Sequence, residues 1–594
     1  MASSTHKTVL VIGIDFGTTF SGVTWLCHEE GGSQPLNASD VQPVSRWPSN
    51  SSQNSDSFKV PSKIAYDIVS GEASWGFAIP EELEKDAIKW FKLLLIDEDS
   101  LEDRYKDTDH IKHAKKMMSK YKKDPIEVIA DYLKLLWAHS ISRIVREKGQ
   151  RRVAAMPYHV IMTVPAIWND AARDRMKRAA KMAHILDERL CGETKLSFIS
   201  EPEAATMTVL PDIKDLKAGD SFVLCDCGGG TVDLISYTVD QMEPLVIHEA
   251  VEGEGGLCGA TFLDQDFFKH LKGVMGLQRW ATLNPAHARR TLSREWEHQI
   301  KRDFDGDPKK TYSINLLSIN EEDAIQLNAG TLRNIFKPTV EKIDSLVDNQ
   351  VRAVTVKTRA PPKFIVLVGG FGRAEYLAAY LREREDAKVL GGRYPQPIEV
   401  HQQTGDKSWS AVCRGATLFG ATGRGSVDSA GVAQVRSRVS RLSYGWGFTC
   451  PFEEGVHELR DRYWDDIKSQ WRAGHQMRWV VKRGESVQSK DGTKYAYSCV
   501  LDTMDETHSK AFNIYTSTNP LPGSRYVPQY RILDTITYTV PVVARWLPKS
   551  DGMDEQYRQV PIEYLVKVSG ASMDISIWWE DTKIGGKNVN VSLE

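Results

Sequence analysis

The feature that most constrains this chain is a pattern that occurs twice. Residues 222–238 read FVLCDCGGGTVDLISYT. An apolar run reaches an acid, Asp226. Gly228, Gly229 and Gly230 follow, then Thr231, a second acid, Asp233, and another β-type run. This predicts strand, tight glycine turn, strand. The same logic stands earlier: a β-branched run ends at Asp15, then come Phe16, Gly17, Thr18, Thr19, Phe20 and Ser21, and a strand-like stretch over 22–26. Either copy alone is compatible with a plain hairpin turn. Two copies argue for an internal pseudo-repeat, with two similar halves that each offer an acidic glycine loop. Glycines let backbone N–H groups close around an anion. Acids beside such a nest repel a bare phosphate, and make sense if a divalent cation sits between them and the phosphate oxygens.

The stretches around these hairpins read as an α/β chain. Residues 31–57 are rich in Ser, Asn, Gln and Pro and predict a surface loop. Residues 81–95 look helical and carry Lys89 and Lys92, either of which reaches a phosphate or lies on a solvated face. Residues 97–123 are dense in charge and predict an exposed helical insertion. Pro125–Lys148 keeps its apolar residues at a spacing of three to four and predicts the clearest amphipathic helix, with Pro125 in its first turn. A strand at 159–164 leads to a helix over 173–183 that Asn169 or Asp170 can cap. A strand at 196–200 leads to a helix at 203–210, which leaves Glu201 at a strand–helix junction facing a cleft. Residues 290–304 look helical and polar, with Lys301 and Arg302 adjacent. A third apolar strand, 364–368, runs into Gly369, Gly370, Phe371, Gly372 and Arg373. The character shifts near residue 425. Residues 426–443 suit a linker. Beyond them lie short strand-like runs and seven tryptophans, which predict a mostly β domain with the tryptophans in its core.

Composition excludes several classes. A formal net charge of −3 gives no reason to propose a nucleic-acid surface. No apolar run reaches the length of a membrane span. The eight cysteines form no CxxC pair or Cys/His cluster, so the expected setting is reducing, cytoplasmic or nuclear. GxxxxGK[ST] is absent, and Gly370-x-Gly372 lacks the third glycine of a dinucleotide fingerprint. What remains is a constellation. Asp15 and Asp226 can hold a hydrated Mg²⁺. Gly17, Thr18, Thr19, Gly229, Gly230 and Thr231 can cradle a polyphosphate. Glu201 or Asp233 can orient a water, and Gly369 and Gly370 can lie flat under a nucleoside.

The segments IGIDFGTTFSGV, VIMTVPAIWNDAARDRMKRAA, FISEPEAA, LCDCGGGTVDL and IVLVGGFGR resemble, in order, motifs of the 70-kDa heat-shock chaperone family. The resemblance covers most of residues 7–425. It implies an α/β actin-like ATPase domain of two lobes with ribonuclease H-like halves around an ATP/ADP and Mg²⁺ cleft. A linker at 426–443 and a smaller β-rich domain at 444–594 would follow. By that match Asp15 and Asp226 serve the metal. Gly17, Thr18, Thr19, Gly228, Gly229 and Gly230 serve the phosphates, with Thr231 at the γ-phosphate and Glu201 and Asp233 in the second set. Gly369, Gly370, Arg373, Lys301 and Arg302 meet the nucleoside side. The catalytic lysine matches Lys92, with Lys89 the alternative.

The chain also departs from the family. The LGGEDFD segment reads Leu257-Cys258-Gly259-Ala260-Thr261-Phe262-Leu263, with a glycine and three acids lost. The hydrophobic linker that couples nucleotide state to peptide release is absent from 426–443. The chain is similar to the twelve-A/B type relatives and to fungal heat-shock-like proteins. The implied activity is slow ATP hydrolysis in protein folding or stress response, with unfolded clients and co-chaperones as partners. A catalytically weak adaptor and a small-molecule kinase of the same fold are the rivals.

Overall fold

The computed structural model describes residues 8–29, 36, 38–49, 57–96, 108–166, 168, 170–283, 291–316, 324–394, 396–403, 407–422, 433–488, 492–505, 507–549, 553–569 and 572–590. The chain divides into two compact units, Met1–Gln434 and Val435–Glu594.

The first unit is mixed α/β and contains both hairpins. Thr8–Phe16 pairs antiparallel with Phe20–Glu29, which sets Asp15 opposite Gly22. On its other side it runs parallel to Tyr158–Val164, which runs parallel to Lys195–Ser200. The second hairpin repeats this order. Ser221–Cys227 pairs antiparallel with Val232–Gln241, which sets Asp226 opposite Asp233. Its other neighbour is the parallel strand Phe364–Val368, followed by the parallel Glu399–Gln402. The first strand of each hairpin is buried almost end to end, as parallel strands covered on both faces must be. Each acid therefore sits at the carboxyl end of a strand inside its sheet, where the following loop can face a ligand.

Two apolar cores support these sheets. One joins Leu10, Ile12 and Ile14 to Ile129, Leu133 and Leu136 of the helix Pro125–Lys148. That helix spans the range its periodicity predicts. Asp124 and Glu127 close a reciprocal cap at its start, each bond 2.8 Å long. The other core joins Val223 and Leu367 to Leu332, Phe336 and Val340 of the helix Ala329–Thr358. The helix Lys407–Thr422 lies on the first sheet so closely that a Cβ on Gly13 would stand 2.5 Å from Thr417 Oγ1.

In the first unit one local reading changes. Residues 81–95 are not a helix. They form short 3-10 turns, Glu84–Asp86 and Phe91–Leu95, around a two-residue strand, Ile88–Lys89. Trp90, at φ +61°, breaks any helical path between them. Of the predicted insertion, residues 97–107 lie outside the described residues, and the rest is the helix Asp109–Tyr121. Asn169 also lies outside the described residues; the helix runs Asp170–Met182.

The second unit holds a nine-stranded antiparallel sheet that includes Ser443–Pro451, Gln470–Val481, His508–Ser517, Arg531–Val540 and Tyr557–Ser569. Its core contains Tyr444, Trp446, Ile514, Ile536 and Ile575. The tryptophans do not share that role. Trp446 is buried, whereas Trp464, Trp471 and Trp546 are exposed. The stretch read as a linker also contains regular structure. Gln434–Val439 alternates its side chains as a strand and pairs with Ser486–Gln488, while residues 426–432 lie outside the described residues. Among the described residues no helix is long and apolar enough to cross a membrane.

Candidate functional site

The two glycine loops meet. A Cβ on Gly229 would stand 2.2 Å from Thr19 Oγ1, and one on Gly230 would stand 2.8 Å from Thr18 Cγ2. Only glycine allows backbone and side chain to approach this closely. The second loop is held from behind by the start of the helix Ala260–Ala281. The amides of Gly259, Ala260 and Thr261 donate to the carbonyls of Gly230, Gly228 and Gly229 at 3.2, 3.1 and 2.9 Å. Thr261 Oγ1 adds a bond to the Gly229 carbonyl at 2.7 Å. The segment 257–263, whose acids are lost, thus anchors the loop with backbone amides and one hydroxyl.

The loops border a cavity of about 380 Å³. Of the predicted residues, Asp15, Gly17, Thr18, Thr19, Glu201, Asp226, Gly228, Gly229, Thr231, Lys301, Arg302, Gly369, Gly370 and Arg373 line it. Lys92, Gly230 and Asp233 are outside its lining. Lys92 is buried and its Nζ meets Glu201 Oε1 at 2.5 Å, so it touches a lining residue and not the cavity itself. Lys89 pairs with Glu84 at 3.1 Å on a part-exposed edge and does not reach Glu201. Asp233 is fully buried beside Asp226 on the neighbouring strand.

Glu201 reaches the cavity because its strand stops at Ser200, which caps the helix Glu201–Val209 by accepting a bond from the Glu203 amide at 3.3 Å. Gly369 lies at φ +83°, where glycine is favoured, and a Cβ there would stand 2.3 Å from Asp226 Oδ1. At the far end, Lys301 is buried and pairs with Asp264 at 2.8 Å and Glu297 at 2.7 Å. Trp409 packs edge-on to Phe20 at 5.5 Å, and the Arg373 guanidinium lies 5.8 Å from the Trp409 ring. The lining thus combines glycines and carboxylates with aromatic rings and cations.

Burial and the surrounding carboxylates decide the charge at the acidic end. Burial first, then Glu201, Asp233 and Asp15, push the Asp226 carboxyl well above the ordinary aspartate range. Burial also raises Glu201, against the opposing pull of Lys92.

Sequence reasoning missed several of these residues. Lys59 is the foremost. Its Nζ donates to Asp15 Oδ2 at 2.6 Å, with both side chains buried. Thr163 Oγ1 donates to the other oxygen, Oδ1, at 3.2 Å. Lys59 sits on a three-residue strand, Lys59–Pro61, and nothing in its neighbourhood flags a ligand. Asp264, Glu297 and Trp409 also line the cavity. An acid one helical turn before Lys301 was the only available signal for Glu297.

Comparisons with known proteins point to one family. Residues 105–390 match the sequence family described as Hsp70 protein. Heat shock 70 kDa protein 12B of Homo sapiens is 23% identical over 450 residues, covering 61% of this chain and 61% of that relative. Heat shock 70 kDa protein 12A of Homo sapiens is 22% identical over 548 residues, covering 77% of this chain and 74% of the relative. A chaperone protein HscA homolog of Burkholderia pseudomallei is 29% identical over 258 residues, 42% of this chain and 36% of the relative. Likeness to the Hsp70 family implies the actin-like ATPase fold. Over the matched residues the chain is similar to the Hsp70 family, and its relatives there are distant.

Proposed function

We propose that the cavity binds ATP and ADP with Mg²⁺ and that the chain is a slow ATPase of the chaperone type. In this reading residues 7–425 form two lobes with ribonuclease H-like halves, residues 426–443 link them onward, and residues 444–594 engage unfolded clients. The observation that carries the reading is the contact of two acid–glycine loops on one cavity, Gly229 against Thr19.

The residues fit a divalent ion. Asp15, Glu201, Asp226 and Asp233 bring four carboxyl groups together with two ammonium groups among them, Lys59 and Lys92, and the mutual crowding that raises Asp226 is relieved by a bound cation. No described residue hydrogen-bonds the Asp226 carboxylate, which lines the cavity. Asp226, with Asp15 beside it, would hold the ion; when bound, it supplies positive charge to the phosphates and ordered water. The amides of the two loops orient the phosphate chain, and the Thr231 hydroxyl meets its outer end. Glu201 lines the cavity and is held by Lys92, so it can orient an attacking water at the terminal phosphate. Asp233 acts from beneath by raising the charge density at Asp226. Gly369, Gly370, Arg373, Lys301 and Arg302 surround the nucleoside.

A second reading is favoured by one observation: Asp15 is already paired with Lys59. In it the protein binds nucleotide as an adaptor and turns it over poorly. Phosphate release from ATP by the full chain, compared with Asp226→Asn, separates the two. Release above the variant supports the ATPase. ATP binding by calorimetry with no release above the variant establishes the adaptor, and absence of ATP binding overturns both.

A further inference from the structure

Three adjacent strands place Asp15, Gly22 and Lys59 in one cross-strand row, Asp15 opposite Gly22 and Gly22 opposite Lys59. Side chains in such a row share one face of the sheet. Gly22, in the middle, carries none, and the Lys59 stem fills the space. A Cβ on Gly22 would stand 3.0 Å from Lys59 Cγ, 3.4 Å from Lys59 Cε and 3.3 Å from Cys413 Sγ. The stem is thus fixed on a dry path that ends with Nζ on Asp15 Oδ2 at 2.6 Å, on the cavity wall.

We propose that Lys59 is a resident cation of the phosphate end, doing part of the work of the divalent ion, so that this chain holds a nucleoside diphosphate without metal. The inference rests on the nucleotide reading of the cavity. An ammonium carries three donors. One is spent on Asp15, and the group borders the same cavity as the loop amides. A phosphate oxygen placed between the two loops meets a fixed positive charge there, and charge-assisted donors bind such oxygens more strongly than neutral ones. The ion is then left to Asp226 alone. A site with one free carboxylate holds Mg²⁺ more weakly than a site with two, because Mg²⁺ keeps most of its waters and depends on the few carboxylates it has.

The test is ADP binding by the full chain, measured by titration calorimetry with Mg²⁺ and with excess EDTA. Wild-type affinity is expected to fall by less than about tenfold in EDTA. Lys59→Met is expected to lose more than about a hundredfold in EDTA and to recover to within tenfold of wild type with Mg²⁺. Lys59→Arg keeps metal-free binding. In parallel, Mn²⁺ titrated into the ADP complex and followed by electron paramagnetic resonance binds more tightly to Lys59→Met than to wild type. Loss of wild-type ADP binding in EDTA overturns the inference and leaves the nucleotide site intact. So does a Lys59→Met protein that matches wild type in EDTA. No ADP binding in either condition overturns the nucleotide reading and this inference with it. If circular dichroism shows Lys59→Met unfolded, the wild-type and Lys59→Arg titrations decide.

Discussion

Gly415 of the helix Lys407–Thr422 abuts the backbone of Ala204 so closely that a Cβ on Gly415 would stand 1.7 Å from the Ala204 carbonyl oxygen. Ala204 belongs to the helix whose first residue is Glu201. The contact therefore sets where Glu201 enters the cavity.

Gly415→Ala is expected to destabilise the first unit by about 3 kcal/mol, the upper range for overpacking. The gain of about 1 kcal/mol in helix propensity does not offset a backbone clash. Urea denaturation measures the loss. An unchanged midpoint would show that the helices can slide apart freely.

Lys92 and Glu201 are a buried pair, so removing one partner leaves the other charge unpaired. Lys92→Met is expected to cost about 3 kcal/mol, and the double variant Lys92→Met/Glu201→Gln to recover more than about 1 kcal/mol of it. A double-mutant cycle on chemical denaturation checks the coupling. Strictly additive effects would contradict the 2.5 Å contact.

Asp226 is crowded by carboxylates, which makes its charge costly to the fold. Asp226→Asn is expected to raise stability by about 1 kcal/mol while removing phosphate release. Thermal unfolding and a phosphate assay on the same preparation read both effects. A variant less stable than wild type would mean that the carboxylate is better compensated than its neighbours imply.

His159 links the first sheet to the helix above it. Its Nδ1–H donates to the Gly420 carbonyl at 3.1 Å, and its Nε2 faces Ser197 Oγ at 2.9 Å. Burial, with Lys195 nearby, pushes its pKa down to about 4. The folded protein keeps the ring neutral while the unfolded chain protonates it near its ordinary value of 6.5. The unfolded state therefore binds more protons between these values, and stability falls as pH drops from about 6.5 to 4. His159→Gln is expected to flatten that fall by about 2 kcal/mol relative to wild type. Denaturation midpoints across this range test it, and parallel pH profiles would remove His159 from the account.

The parts of this architecture that a reader could extract from the residues are those written locally. The two hairpins announce themselves because apolar β-branched runs, an acid and consecutive glycines occur within a few positions. The helix Pro125–Lys148 carries its period, its proline and its capping residues together. Residues 81–95 show the limit of that method. Their apolar spacing suits a helix, yet Phe91, Leu93 and Leu95 are buried from 3-10 geometry, with Trp90 left-handed before them. Lys59 was invisible for a different reason: its partner stands two strands away, and only the pairing register brings it to Asp15. The exposed Trp464 and Trp471 escape a reading by composition because they meet edge-on at 5.3 Å instead of entering a core.

The glycine loop 228–230 has no carbonyl left to itself. All three are taken by the amides of Gly259, the N-cap, and of Ala260 and Thr261, the first two residues of the helix Ala260–Ala281. A straight run from Ala260 to Met275, before Gly276 turns out of helical geometry, is about 24 Å long. Four hydrogen bonds tie the loop to the start of the helix, so a displacement of the loop is expected to carry that first turn with it. The straight run ends beside the exposed Val274, and Leu277, also exposed, lies past the turn at Gly276.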